Sequence, residues 1–117
     1  MKNIQEFASK MFELEVNLHI MHLQTTSYAQ HNALNFYQSV VELRDAFLEA
    51  WQGNYGVVTG YKQITIQEGA DPVKYLEDFC TQLNTFRETL TQGYLQQMID
   101  NIHEGIYKTL YFLKNLS

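Results

Sequence analysis

Apolar residues recur at alternating steps of three and four along most of the chain, and this spacing constrains the fold more than any other feature. Because an α-helix turns once in 3.6 residues, side chains at these steps share one face. In the first segment the face consists of Ile4, Phe7, Met11, Leu14, Leu18 and Met21. A second apolar series lies on another side of the same segment: Phe12, Val16, Ile20 and Leu23. One bundle needs only one such face, so we expect the second series to lie in a subunit interface.

Capping residues mark where the helices begin and end. Ser27 and Gln30 form a capping box, in which the hydroxyl accepts from a backbone N–H and the amide reaches back. Asp71-Pro72 supplies an N-cap carboxylate and a proline at the first helical position. Gly53 is a plausible C-terminal stop and Gly93 marks a turn. These signals predict four helices, over about residues 2–25, 28–52, 72–91 and 94–116.

Residues 53–71 break the helical pattern and form a predicted crossover. Four glycines punctuate this segment among β-branched residues: Gly53, Gly56, Gly60 and Gly69. A loop this long in a compact domain requires a structural reason. A ferritin-type bundle provides one, because a single long crossover joins its two helical hairpins. We therefore predict one all-α domain over residues 1–117: a ferritin-like four-helix bundle of two antiparallel hairpins and a long crossover.

Composition excludes several classes of partner. The formal net charge is −5 and no run of lysine or arginine is present, so nucleic-acid binding is not expected. No apolar run is long enough to span a bilayer and no signal peptide is recognisable, so we expect a cytoplasmic protein. The single cysteine, Cys80, lies in an apolar helical stripe and is expected to be a core residue.

The most informative polar residues surround the turn between the first two helices. His22 closes the first helix and His31 opens the second, so the antiparallel hairpin places both imidazoles at one end. A continuous polar stripe is then predicted along the second helix: His31, Asn35, Gln38, Glu42, Asp45, Glu49 and Gln52. Imidazole together with carboxylate is the ligand set expected for iron, zinc or manganese.

Distance along the helix decides how these residues could share a metal. His31 and Asp45 are fourteen residues apart, which is roughly 21 Å at the standard helical rise. They cannot share a metal within one such helix. If two copies of the second helix pack antiparallel about a two-fold axis, His22 and His31 of one chain meet Asp45 and Glu49 of the other. Two identical sites would form in each dimer.

The first half of the chain resembles the Dps miniferritins, and it resembles still more closely a family of small tailed-phage proteins. The resemblance rests on His22-Leu23-Gln24-Thr25, Ser27-Tyr28-Ala29, His31, Ala33-Leu34, Phe36-Tyr37, Asp45, Glu49 and Gln52-Gly53. It implies that His22, His31, Asp45 and Glu49 hold iron between subunits of a homodimer or larger assembly, in the host cytoplasm if a phage encodes the chain. Asn35 stands where Dps proteins usually carry a carboxylate ligand. Ferroxidase-like activity is therefore the most that the resemblance implies, and no catalytic residue is assigned.

Other interpretations of the same sequence remain open. The chain could be a non-enzymatic phage accessory or structural protein that binds a host or virion protein. Trp51, Tyr55 and Tyr61 surround the crossover and either form such a contact surface or cover the open end of the bundle. Weaker candidate sites combine Glu15, His19 and His22 on the first helix, Asp100 with His103, and Cys80 with His103.

Overall fold

A computed structural model describes residues 1–116 as a bundle of α-helices. The helices are α1 (Ile4–Gln24), α2 (Tyr28–Ala33), α3 (Phe36–Tyr55), α4 (Pro72–Glu88) and α5 (Gly93–Asn115). Residues 1–116 contain no β-strand, which confirms the predicted all-α helical bundle. Among these residues, no helix combines the length and the apolar character needed to cross a membrane.

The four long helices form two hairpins. α1 packs against α3, and α4 packs against α5. The second hairpin is antiparallel, since Arg87 near the end of α4 pairs with Asp100 near the start of α5, while Glu77 pairs with Lys114. The segment between α3 and α4 runs along α1. The bundle measures 43 × 26 × 21 Å.

The predicted apolar face of α1 forms the centre of the core. All six of its residues are buried, and Phe7 stacks on Phe86 and packs against Phe47. The second apolar series is only partly covered within the chain: Phe12, Val16 and Ile20 are half-buried, and Leu23 is 67 % exposed. A role for this series in a subunit interface therefore stays a prediction.

The predicted second helix is not continuous, which corrects the expectation of an unbroken helix and polar stripe over 28–52. It ends as α2 at Ala33 and resumes as α3 at Phe36. In an unbroken helix the carbonyl of His31 would accept from the N–H of Asn35. Here that carbonyl bonds the His22 ring at 2.6 Å, and Asn35 N–H donates to Asn32 instead. A side chain from α1 thus replaces a backbone bond that would have continued the helix.

The ends of the helices match most of the capping signals. Ser27 and Asp71 accept backbone N–H groups as predicted, from Gln30 and Lys74. The Gln30 side chain, however, accepts from the Thr25 hydroxyl rather than from the backbone of the capping box. Gly53 does not stop its helix, and α3 continues to Tyr55. The end comes at Gly56, whose φ of 99° lies in the left-handed region that favours glycine.

Three polar side chains of α1 hold the crossover against that helix. Ser9, Glu13 and Asn17 are one turn apart, and each is at most 4 % exposed. Their side-chain oxygens accept the backbone N–H groups of Lys62, Thr65 and Gln67 at 2.7–2.8 Å. Residues with higher numbers on the crossover meet residues with higher numbers on α1, so the segment runs parallel to α1. The crossover is therefore an extended strap with defined partners.

Candidate metal centre

His22 and His31 form a reciprocal pair between the end of α1 and α2. The Nδ1 of His22 lies 2.6 Å from the carbonyl oxygen of His31, and the Nδ1 of His31 lies 2.8 Å from the carbonyl oxygen of His22. The two rings stack with their centroids 3.7 Å apart. Each imidazole thus caps a carbonyl at or near the end of the other residue's helix. The sequence correctly predicted that both rings lie at one end of the hairpin.

These hydrogen bonds fix the tautomer of both rings. A carbonyl oxygen only accepts, so both Nδ1 atoms must carry a proton and donate. In the neutral ring this leaves the lone pair of Nε2 free. An imidazole that donates Nδ1–H to a backbone carbonyl is the usual form of a histidine that binds metal through Nε2. Only 7 % of His22 is exposed, and His31 is the more accessible of the two residues.

Aromatic contacts extend the pair into a cluster. The His19 ring stacks on Tyr37 of α3 at a centroid distance of 4.0 Å and an angle of 7°. Tyr37 also lies 5.4 Å from the His22 ring. Packing on Tyr37 therefore holds His19 beside the pair, and the ring centroids of His19 and His22 are 6.3 Å apart.

Asp45 and Glu49 lie further along α3 and are exposed. Asp45 Oδ1 accepts from Nε of Arg44 at 3.0 Å, and its side chain is 51 % exposed. Arg44 itself is buried, forms an ion pair with Glu15 of α1 and covers the Phe12 ring at 3.8 Å. The arginine thus holds one oxygen of Asp45 and leaves the rest of the carboxylate facing outward.

The four predicted ligands divide into two groups. The histidines meet, whereas the carboxylates do not join them: within residues 1–116, no three side chains among His, Cys, Asp and Glu are placed to hold a metal ion. A site containing all four residues needs a second chain, as the two-fold argument requires. The assignment of His22, His31, Asp45 and Glu49 as ligands stays a prediction.

The weaker candidate site residues Asp100, His103 and Cys80 make contacts that stabilise the fold. Arg87 binds both oxygens of Asp100, at 2.7 and 3.1 Å, and holds the pKa of that carboxyl below its usual range. His103 is buried, with Nε2 at 3.4 Å from the Cys80 carbonyl oxygen. Burial raises the pKa of the Cys80 thiol to about 11, so the thiolate is scarce at neutral pH. Cys80 is a core residue, as predicted.

The three aromatic residues around the crossover pack against different parts of the bundle. Trp51 is half-buried beside Phe47 and also packs against Tyr55. The Tyr55 hydroxyl accepts from Gln92, whereas Tyr61 lies edge-on against Phe12. Trp51 and Tyr55 therefore cover the bundle near the end of α3, and Tyr61 holds the crossover to α1.

Sequence reasoning missed the polar residues of α1 that bind the crossover. Ser9, Glu13 and Asn17 follow one another at steps of four within an otherwise apolar helix. That spacing was the available signal, because a polar line beside an apolar face needs its own hydrogen-bonding partners. Arg44 gave no comparable signal, since a single arginine on an amphipathic helix is usually solvated.

Comparison with known proteins identifies one family model, described as a family of unknown function (DUF5856), which matches residues 22–113. The match begins at His22 and includes α2, α3, the crossover, α4 and most of α5. No curated protein and no solved structure match the chain.

Proposed function

The chain belongs to the DUF5856 family, and we propose that it is a Dps-like, homo-oligomeric protein of the cytoplasm that binds a metal ion between its subunits. Iron is the first candidate, and zinc and manganese suit the same ligand types. The proposed ligands are His22 and His31 of one chain with Asp45 and Glu49 of another. The proposal assigns no catalytic step.

The observation that supports this proposal most strongly is the shared tautomer of the histidine pair. Two neighbouring imidazoles both use Nδ1–H on backbone carbonyls, so each neutral ring keeps an Nε2 lone pair that could bind a metal ion. Asp45 and Glu49 add oxygen ligands that face away from the chain's own core.

The chain topology is the second support. α1 and α3 form one hairpin, α4 and α5 form another, and the crossover runs along α1 between them. This is the connection expected of a ferritin-like bundle. The half-buried Phe12, Val16 and Ile20 and the exposed Leu23 offer apolar surface for a second subunit.

Replacing histidine by asparagine separates metal binding from capping. Asparagine Nδ2 lies close to the place of imidazole Nδ1, so His31→Asn keeps a donor for the His22 carbonyl and removes Nε2. We expect the wild-type chain, loaded with Fe(II) without oxygen and then desalted, to retain iron measured by plasma mass spectrometry. His22→Asn, His31→Asn, Asp45→Asn and Glu49→Gln are each expected to lose most of it, since losing a ligand should weaken binding by at least the roughly 10- to 100-fold typical of losing a hydrogen-bond partner of a ligand.

The matched control is Glu88→Gln, which neutralises an exposed carboxylate near the end of α4. It should retain as much iron as the wild type. Equal iron content in His31→Asn and wild type would contradict the proposal, and the histidine pair would then serve only to cap the two helices. The same loading is repeated with Zn(II) and Mn(II) to identify the preferred metal.

A second function, binding of another protein through the crossover, has its own support. Val57, Tyr61, Ile64 and Ile66 of this segment are exposed, although they are apolar. Replacing Val57 and Ile66 by aspartate should abolish capture of a partner from lysate while the helical circular dichroism is unchanged. Capture that does not differ between variant and wild type would reject this second function.

A further inference from the structure

The outward face of α5 exposes aromatic residues that the proposed metal site does not use. Tyr107, Tyr111 and Phe112 are 55 %, 59 % and 42 % exposed, and they line one shallow groove with Glu104 and Lys108. The volume of the groove is about 730 Å³. Aromatic side chains clustered on one face are enriched at the centres of protein interfaces and depleted elsewhere on surfaces.

Charged residues surround this aromatic centre. Asp100 is bound to Arg87 on one side, and Lys114 is bound to Glu77 on the other. Glu104 and Lys108 lie one turn apart on the face itself, with Lys108 Nζ 3.3 Å from Glu104 and both side chains about 70 % exposed. An apolar centre with a charged rim is the usual anatomy of a protein interface.

The order of the charges fits a second copy of the same face. When two α5 helices pack antiparallel through this exposed face, about a two-fold axis at the level of residue 106, Glu104 of each chain lies opposite Lys108 of the other. Tyr107 then lies close to the axis and meets its own copy. Two pairs of opposite charge therefore cross the interface, as a surface that binds its own copy requires.

We propose that α5 forms a two-fold interface between copies of this chain, centred on Tyr107 and with the pairs Glu104–Lys108 reaching across it. None of these α5 residues is a proposed metal ligand, because His22 lies on α1, His31 on α2, and Asp45 and Glu49 on α3. Two different two-fold surfaces on one chain build a closed tetramer or a larger assembly.

Charge reversal tests the pairing of Glu104 with Lys108 across the interface. Two copies of one charge-reversed variant should repel each other, whereas the two different variants should attract each other. The full chain, Glu104→Lys, Lys108→Glu and an equimolar mixture of the two variants are compared by sedimentation equilibrium with EDTA present. Each variant alone should dimerise at least about tenfold more weakly than the wild type, since like charges then face each other. The mixture should regain the wild-type association, because every crossing pair is again opposite in sign.

Lys74 and Asp78 provide the matched control, being a similar exposed pair one turn apart on α4. Lys74→Glu and Asp78→Lys should leave association unchanged. Tyr107→Ser with Tyr111→Ser should abolish the α5 dimer while the helical signal persists. A monomeric wild type, or a mixture that associates no better than the single variants, would overturn the proposal and leave the face to a different protein. EDTA keeps the result independent of the metal site.

Discussion

The two nitrogens of each imidazole in the His22–His31 pair have different roles. Nδ1 satisfies a carbonyl at a helix end, and Nε2 keeps its lone pair. The first role explains why α2 ends at Ala33, since the His22 ring takes the carbonyl that would otherwise have bonded Asn35. The second role makes the pair a candidate metal centre. One local arrangement thus connects the break in the helix with the proposed function.

Tyr75 is a residue whose ionisation is coupled to folding. Burial raises the pKa of Tyr75 from 10.0 to about 12, although the hydrogen bond from Asn17 opposes this shift. A pKa that is higher in the folded chain favours the protonated fold, so this contribution to stability is complete below pH 10 and is lost as the pH rises towards 12. Urea unfolding at pH 8 and pH 11 should show this loss in the wild type.

Tyr75→Phe is the comparison for that measurement. The variant retains the ring but lacks the ionisable hydroxyl, so its free energy of unfolding should fall less between the two pH values. Cys80, whose pKa is also raised, contributes equally to both proteins and cancels in the difference. Identical losses in the two proteins would show that Tyr75 does not titrate with unfolding.

Replacing either of two helical glycines by alanine should change the free energy of unfolding, in opposite directions. A Cβ at Gly105 would lie 2.5 Å from Cε1 of Phe36, whereas nothing lies within 4 Å of a Cβ at Gly53. We expect Gly105→Ala to lower the free energy of unfolding by about 1 kcal/mol, because overpacking outweighs the gain in helix propensity. Gly53→Ala should raise it by up to about 1 kcal/mol. Thermal melts check both signs, and stabilisation by Gly105→Ala would contradict this contact.

At the scale of elements, the crossover is the segment whose path depends on a few side chains. Asn17 accepts from Gln67 N–H and donates to the Thr65 carbonyl and the Tyr75 hydroxyl. Asn17→Ala removes all three bonds and should cost about 2–3 kcal/mol. Hydrogen exchange at the Gln67 amide should accelerate, because its acceptor is gone. Asn84→Ala, an exposed change on α4, should leave that amide as slow as in the wild type.

The helices could be predicted from the sequence, and some of their connections could not. Apolar spacing depends on local geometry alone, so α1, α4 and α5 were placed within a few residues. The break at Leu34 and Asn35 depends on the His22 ring, which reaches it from another helix. The path of the crossover depends likewise on bonds between residues about fifty positions apart. No periodicity within either segment encodes these contacts.

In the predicted site, too, local contacts could be predicted and contacts with other helices could not. The histidines could be placed together because a short turn connects their helices. The ion pair between Arg44 and Asp45 could not be predicted. It depends on the contacts of the guanidinium with Glu15 and Phe12 of α1. Whether Asp45 and Glu49 meet the histidines depends on a second chain, and one sequence alone does not specify how two copies pack.

At the scale of the whole molecule, each proposed metal site takes its ligands from two chains. One chain brings two imidazoles together but adds no third ligand of the required type among residues 1–116. Two copies related by a two-fold axis would complete two sites. Mixing subunits that lack different ligands therefore identifies which chain supplies each ligand.

The most direct measurement is the metal content of a mixed oligomer. One variant carries His22→Asn and His31→Asn, the other carries Asp45→Asn and Glu49→Gln, and neither should hold iron alone. After unfolding and refolding together in equal amounts, half of the dimers contain one chain of each kind, and one of their two sites is intact. We expect about a quarter of the wild-type iron content in the mixture. No iron in the mixture, alongside a loaded wild type, would contradict a site shared between chains.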